Sequence, residues 1–133
     1  KRIAAFLLVA LALQCMMTTS AFASDKAPNH DLVTLFIYAG LYDVGNGIYV
    51  IEGTAAAPNA SKRVYITLTL EKIVGNKSTV VPGCTWTASG MVTAQTSARR
   101  SLSPGTYQAH TYAEVYLGDT LLETADAYSN VEF

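Results

Sequence analysis

Beyond Asp31 the chain alternates apolar and polar residues with a period of two. The clearest stretch covers residues 63–73: Val64, Ile66, Leu68 and Leu70 fall on one side, Tyr65, Thr67, Thr69 and Glu71 on the other. Side chains of a β-strand point alternately to opposite faces, so this pattern predicts a strand with one buried and one half-wet face. Residues 106–117 repeat it, with Tyr107, Ala109, Thr111, Ala113, Val115 and Leu117 sharing one face and Gln108, His110, Tyr112, Glu114 and Tyr116 the other. Further short runs rich in Val, Ile, Thr and Tyr, cut by Gly, Pro and Asn, have strand composition with turn punctuation. Residues 32–42 predict one strand or two short ones, and 48–56 another. A strand opening at 79–81 is interrupted by Pro82-Gly83 and continues over 84–88. Residues 91–102 and 120–127, or a little beyond, complete the set. Of the turns between them, Asn46-Gly47 suits a tight hairpin.

About seven short antiparallel strands predict an all-β domain: a small immunoglobulin-like or fibronectin-like β-sandwich, with a small β-barrel as the alternative. Trp86, the largest side chain of the domain, is expected to plug the core or cap one end. The small residues Ala109, Thr111 and Ala113 let a facing sheet approach closely or leave room for that ring.

The first residues are of another kind. Lys1 and Arg2 precede an unbroken apolar run over 4–13, and Ala21-Phe22-Ala23 supplies small residues around a bulky one. This is the pattern of an export signal cut after Ala23. The run is too short for a stable membrane anchor. Gln14 before Cys15 is too large for a lipoprotein signal. The expected organisation is a signal peptide over 1–23, a flexible lead over 24–31 and one sandwich domain over 32–133, with no membrane association after cleavage.

From Ser24 onward seven basic residues stand against ten acidic ones. Such a surface is a poor partner for nucleic acid or anionic membrane. Cys84 is the only cysteine left after cleavage, so no disulfide within the domain is possible. It reads as a small buried hydrophobe, the alternative being a reactive thiol or a link between chains.

No catalytic or metal-binding constellation is expected. His30 lies in the lead. His110 and Glu114 project the same way but sit about 13 Å apart along one strand, too far for a dyad. A Cys84–His110 thiolate pair requires neighbouring strands, and the Pro-Gly-Cys turn lacks the helix N-terminus that lowers a thiol pKa. One Cys and two distant His are not a zinc cluster, Asp119 and Asp126 lack a ligand-dense calcium loop, and Gly45-Asn46-Gly47 is no phosphate loop. Arg99-Arg100 is an isolated pair. The triplets Asn59-Ala60-Ser61 and Asn76-Lys77-Ser78 match the glycosylation pattern and fall in turns. No cofactor is expected.

The aromatic residues carry the functional signal. All eight tyrosines follow Asp31. His110, Tyr112 and Tyr116 share one face of the sixth strand, and Tyr65 extends the row if the third strand is its neighbour. Exposed tyrosine rows bind sugars, peptides or proteins. Plain cross-strand packing is the duller alternative.

Residues 102–107, Leu-Ser-Pro-Gly-Thr-Tyr, followed by an alternating strand, resemble the approach to a late strand in immunoglobulin-like and fibronectin-like modules. The resemblance implies a core-facing or corner role for Tyr107. More broadly, residues 63–72, Trp86, 103–107, Tyr116, 122–125 and Tyr128-Ser129 are similar to a group of small exported proteins of Gram-positive bacteria, single β-sandwich domains behind a signal peptide. The likeness covers about residues 48–133. It implies fold and export, and brings no activity and no residue role. The paired cysteines of antibody-type domains are missing.

These observations lead to an expected function as a non-enzymatic exported module that binds an extracellular protein or glycan. A self-assembling structural subunit, built through sheet edges, is the alternative, and a secreted enzyme is more distant.

Overall fold

The computed structural model describes residues 35–58 and 62–132. The expected signal segment and lead, the start of the first expected strand and the triplet Asn59-Ala60-Ser61 lie outside the described residues. Seven strands follow one another: β1 (Phe36–Asp43), β2 (Ile48–Ala56), β3 (Arg63–Val74), β4 (Lys77–Met91), β5 (Thr93–Ser101), β6 (Thr106–Leu117) and β7 (Thr120–Glu132). Hydrogen bonds join them into a three-stranded sheet, β1-β2-β5, and a four-stranded sheet, β4-β3-β6-β7. Every ladder is antiparallel. The two sheets pack face to face, as the sequence pattern predicts, and among the described residues no ladder joins them into a closed barrel. No helix among the described residues is long and apolar enough to cross a membrane.

The alternating residues of β3 and β6 point where their period places them. Val64, Ile66, Leu68 and Leu70 from β3 are buried with Tyr107, Ala109, Ala113 and Val115 from β6. Tyr107 faces the core, and the ammonium of Lys72 lies 5.7 Å from its ring centroid. From the other sheet come Leu41, Tyr49, Ile51, Ala55 and Ala94. Full burial of a Val, Leu or Ile side chain stabilises by about 1.5–3 kcal/mol, and these contacts join the two sheets without a disulfide among the described residues. The core divides into two clusters, one around Ile51, Leu68 and Leu70, the other around Val64, Ile66 and Val115. Gly53 of β2 and Thr111 of β6 occupy the strand positions between the clusters, and there the backbone of β2 approaches the side chains of Thr111 and Leu68 closely.

Several element boundaries differ from the sequence pattern. Pro82-Gly83 does not end the fourth strand, which runs unbroken from Lys77 to Met91. It breaks the pairing instead: the β3–β4 ladder steps from Thr69–Thr85 to Glu71–Val80, so residues 81–84 oppose Leu70 alone. Proline has no N–H to give a ladder, and a bulge on an edge strand accommodates it. Met91 closes β4 and does not open β5; the chain crosses from one sheet to the other at Val92, whose φ is +71°. Backbone bonds hold that corner, from Val92 N to Lys62 O at 3.0 Å and from Ala57 N to Val92 O at 2.7 Å. β7 continues past Ala127 to Glu132, paired with β6 throughout. Leu117, assigned to the core face by alternation, lies at the projecting end of β6 and is exposed. Trp86 packs partly buried against the cluster around Ile51, Leu68 and Leu70, and the Arg100 guanidinium covers its ring at 5.1 Å.

Candidate binding face on the four-stranded sheet

The outer face of the four-stranded sheet collects the side chains that alternation excludes from the core. The β3–β6 register sets Thr69 opposite His110, Thr67 opposite Tyr112 and Tyr65 opposite Glu114. The β6–β7 register sets Tyr128 opposite His110, Asp126 opposite Tyr112 and Thr124 opposite Glu114. His110, Tyr112, Tyr116 and Tyr65, expected to share a face, are brought together on adjacent strands. Tyr65 and Tyr116 meet edge to face, with ring centroids 5.5 Å apart and planes at 84°.

The carboxylates of Glu71 and Glu114 are held by donors from the sheet itself. The Glu114 oxygens accept one bond each from the hydroxyls of Tyr112 and Tyr116, both at 3.1 Å. Residues two apart on a strand share a face, so the three form a clamp within β6 alone. Glu71 accepts from the Ser78 hydroxyl, the Gln108 amide and, at 3.4 Å, the Thr69 hydroxyl. His110 bridges outward from β6 to both neighbours, with Nδ1 3.1 Å from Glu71 and Nε2 2.6 Å from Asp126. The neutral ring donates to only one carboxylate, whereas the doubly protonated ring donates to both. Tyr128 lies flat on the imidazole, with centroids 4.3 Å apart and planes at 14°.

This environment moves the ionisable groups in opposite directions. Partial burial on its own raises the Glu71 carboxyl, but bonds from Ser78, Gln108 and His110, with the histidine charge, outweigh it and hold the group below its ordinary value. Burial, then the Glu114 bond and charge, raise the Tyr112 hydroxyl. The Glu114 bond, then burial, raise that of Tyr116. Burial and the charges of Asp126 and Glu71 raise that of Tyr128. The phenols therefore stay protonated near neutral pH. Tyr112 and Tyr116 spend their protons on Glu114, and the Tyr112 oxygen in turn accepts from the Thr124 hydroxyl. The face as a whole is aromatic, cross-linked by hydrogen bonds and rich in carboxylate acceptors.

Among the described residues, the groups weighed for covalent or metal chemistry do not come together. Both His110 nitrogens face carboxylates, so neither is placed to take a proton from a nucleophile. Cys84 is buried among Leu68 and Leu70 on the inner face of the sheet, and His110 lies on the outer face, so the two form no pair. Asp119 and Asp126 do not share a site: Asp126 bonds His110, and Asp119 sits in the β6–β7 turn. No group of three or more His, Cys, Asp or Glu positioned to hold a metal ion occurs among the described residues.

The sequence pattern does not single out Glu71, Gln108 and Tyr128 for the site, and it raises Asp126 only as a calcium ligand. Glu71 and Gln108 occupy polar-face positions that alternation identifies without ranking. Asp126 and Tyr128 join the face only because β7 runs the full length of β6. No family model and no curated protein matches the sequence.

Proposed function

We propose that the domain is an exported, non-enzymatic binding module of the immunoglobulin-like or fibronectin-like kind. Its binding surface is the outer face of the four-stranded sheet. The observation that carries this is the gathering of Tyr65, Tyr112, Tyr116, Tyr128 and His110 on one face, around carboxylates locked by the sheet's own donors. Rigid aromatics give contact area at low entropic cost, and pre-positioned polar groups need no reordering on binding. A surface that presents acceptors favours a partner rich in donors, which points to a protein segment bearing basic side chains ahead of a neutral glycan. The positive Lys1-Arg2 end, the apolar run over 4–13 and the triplet Ala21-Phe22-Ala23 support export and a site of action outside the cell.

One observation favours a second reading, self-assembly. β1 is an edge strand whose sequence, Phe-Ile-Tyr-Ala-Gly-Leu-Tyr-Asp, carries a single charge and no proline. Unprotected apolar edges template pairing with another chain. The other three edges carry more charge or a proline: Pro82 and its bulge on β4, Arg99 and Arg100 on β5, and Glu123 and Asp126 on β7.

Capture on immobilised chain, from envelope and medium fractions of the producing cell and from neighbouring cell surfaces, tests the proposal beside a Tyr112→Ala/Tyr116→Ala variant. Saturable retention of a protein, lost in the variant, is the expected result. Retention of a polysaccharide would reassign the ligand. Retention only of further copies of the chain would favour assembly through β1, and no retention at all would count against binding.

A further inference from the structure

We infer that the end of this face nearest the β6–β7 turn is a recognition cleft for an ammonium head group, of the kind a lysine side chain presents. The inference deepens the binding-module proposal and rests on it. The cleft has a volume of about 290 Å³ and is lined by Tyr65, Glu114, Tyr116, Gly118 and Asp119. Small-molecule sites typically span about 300–1,000 Å³, so it suits a head group and part of its stem more than a whole ligand.

Three features of the lining select positive charge. The two tyrosine rings stand nearly perpendicular, with centroids 5.5 Å apart, and form a corner of π surface. Ring faces carry partial negative charge and attract cations. Glu114 and Asp119 add two carboxylates, and the lining includes no cationic side chain. Glu114 accepts the hydroxyls of Tyr112 and Tyr116, which hold its carboxylate in place at the cleft. Arg63, opposite Tyr116 in the ladder, is the basic residue at this end of the face, and it lies outside the lining.

The fold builds the corner with local devices. The β6–β7 ladder steps from Val115–Glu123 to Tyr116–Leu121, leaving Leu122 as an extra residue beside Tyr116. Such bulges bend a strand and re-aim the side chains next to them. A two-residue turn follows, in which Gly118 adopts φ +58° and Asp119 comes to the rim. Tyr65 reaches the same place from β3 and is 41 % exposed, open to a ligand.

The test is an NMR titration of the full chain with N-acetyl-lysine methylamide, alongside its uncharged norleucine analogue and N-acetylglucosamine. The expected result is a saturable shift of the Tyr65 and Tyr116 ring signals with the lysine compound alone, weakened by added salt. Asp119→Asn, at an exposed turn, should lower the affinity about fivefold, and Tyr65→Leu by a similar factor, the range expected for loss of one cation–π or ionic contact at an exposed site. Equal shifts with the norleucine or sugar compound would overturn the assignment of charge. Absence of any saturable shift, or full affinity in Asp119→Asn with its spectrum otherwise native, would overturn the cleft. Either failure leaves the broader proposal standing if capture by the immobilised chain still depends on Tyr112 and Tyr116. Loss of capture as well would remove both.

Discussion

Gly53 and Thr111 face each other across the two sheets with no room for another atom between them: a Cβ on Gly53 would lie 2.7 Å from the Thr111 Oγ1 and 3.2 Å from Leu68 Cδ1. That hydroxyl is fully buried and has no hydrogen-bond partner. Two outcomes follow. Gly53→Ala overpacks the contact and should cost about 1–3 kcal/mol. Thr111→Val keeps the shape, removes an unpaired polar group, and should raise stability by about 1 kcal/mol. Urea denaturation of both variants checks this, and a less stable Thr111→Val would show that the hydroxyl is satisfied.

Glu71 sets a pH dependence whose direction is fixed by its environment. Its carboxyl lies below the ordinary 4.5 in the folded chain, so the unfolded chain takes up the proton first. The stabilisation is fully present above that ordinary value and is lost as pH falls through the lower, folded one. Glu71→Gln should therefore cost about 1 kcal/mol or less near neutral pH, the scale of a partly exposed polar network. The gap between the two proteins should close below pH 4.5. Thermal melts across an acid series read this, and a gap that widened in acid would contradict the assignment.

Val92 holds φ +71° at the single-residue crossing between the sheets, a region costly for a β-branched side chain. Relief of that strain exceeds the extra entropy glycine brings to the unfolded chain. Val92→Gly should stabilise the domain by about 0.5–1 kcal/mol, provided the bonds to Lys62 and Ala57 persist. Guanidinium unfolding measures it, and destabilisation would mean that the valine packs better than its backbone suffers.

Arg100 covers the ring of Trp86, the chain's one tryptophan. Arg100→Ala should red-shift the indole emission by opening the ring to water, and should cost about 0.5–1 kcal/mol, as for an exposed cation–π contact. Unchanged emission would show that the guanidinium does not shield the ring.

The fold was legible where alternation was uninterrupted. β2 and β6 end where their patterns end, and β3 runs one residue further, because Gly, Pro and Asn turns flank strands whose inner faces are wholly apolar or small. Alternation failed where backbone geometry overrides composition. Pro82-Gly83 reads as a break but is a bulge inside one long edge strand. Val92 reads as strand interior but is a corner. The candidate face was half legible: Tyr65, Tyr112, Tyr116 and His110 share a period, which the chain itself displays. The Glu71 and Asp126 contacts of His110 come from strands 39 and 16 residues away, and only the β3–β6–β7 order and register bring them within reach.

The position of Cys84 makes the edge of the sandwich measurable in time. The thiol is 4 % exposed, on β4, at the last position of the stretch that opposes Leu70 alone. An alkylating reagent reaches it only when that strand parts from β3, so its labelling rate follows local opening and not the unfolding of the whole domain. Cys15, the chain's other cysteine, is replaceable by serine for the purpose. Pulse-labelling then gives a stopwatch for the breathing of one strand, one ladder away from the tyrosine face, and a bound partner that stiffens that sheet would slow the hands.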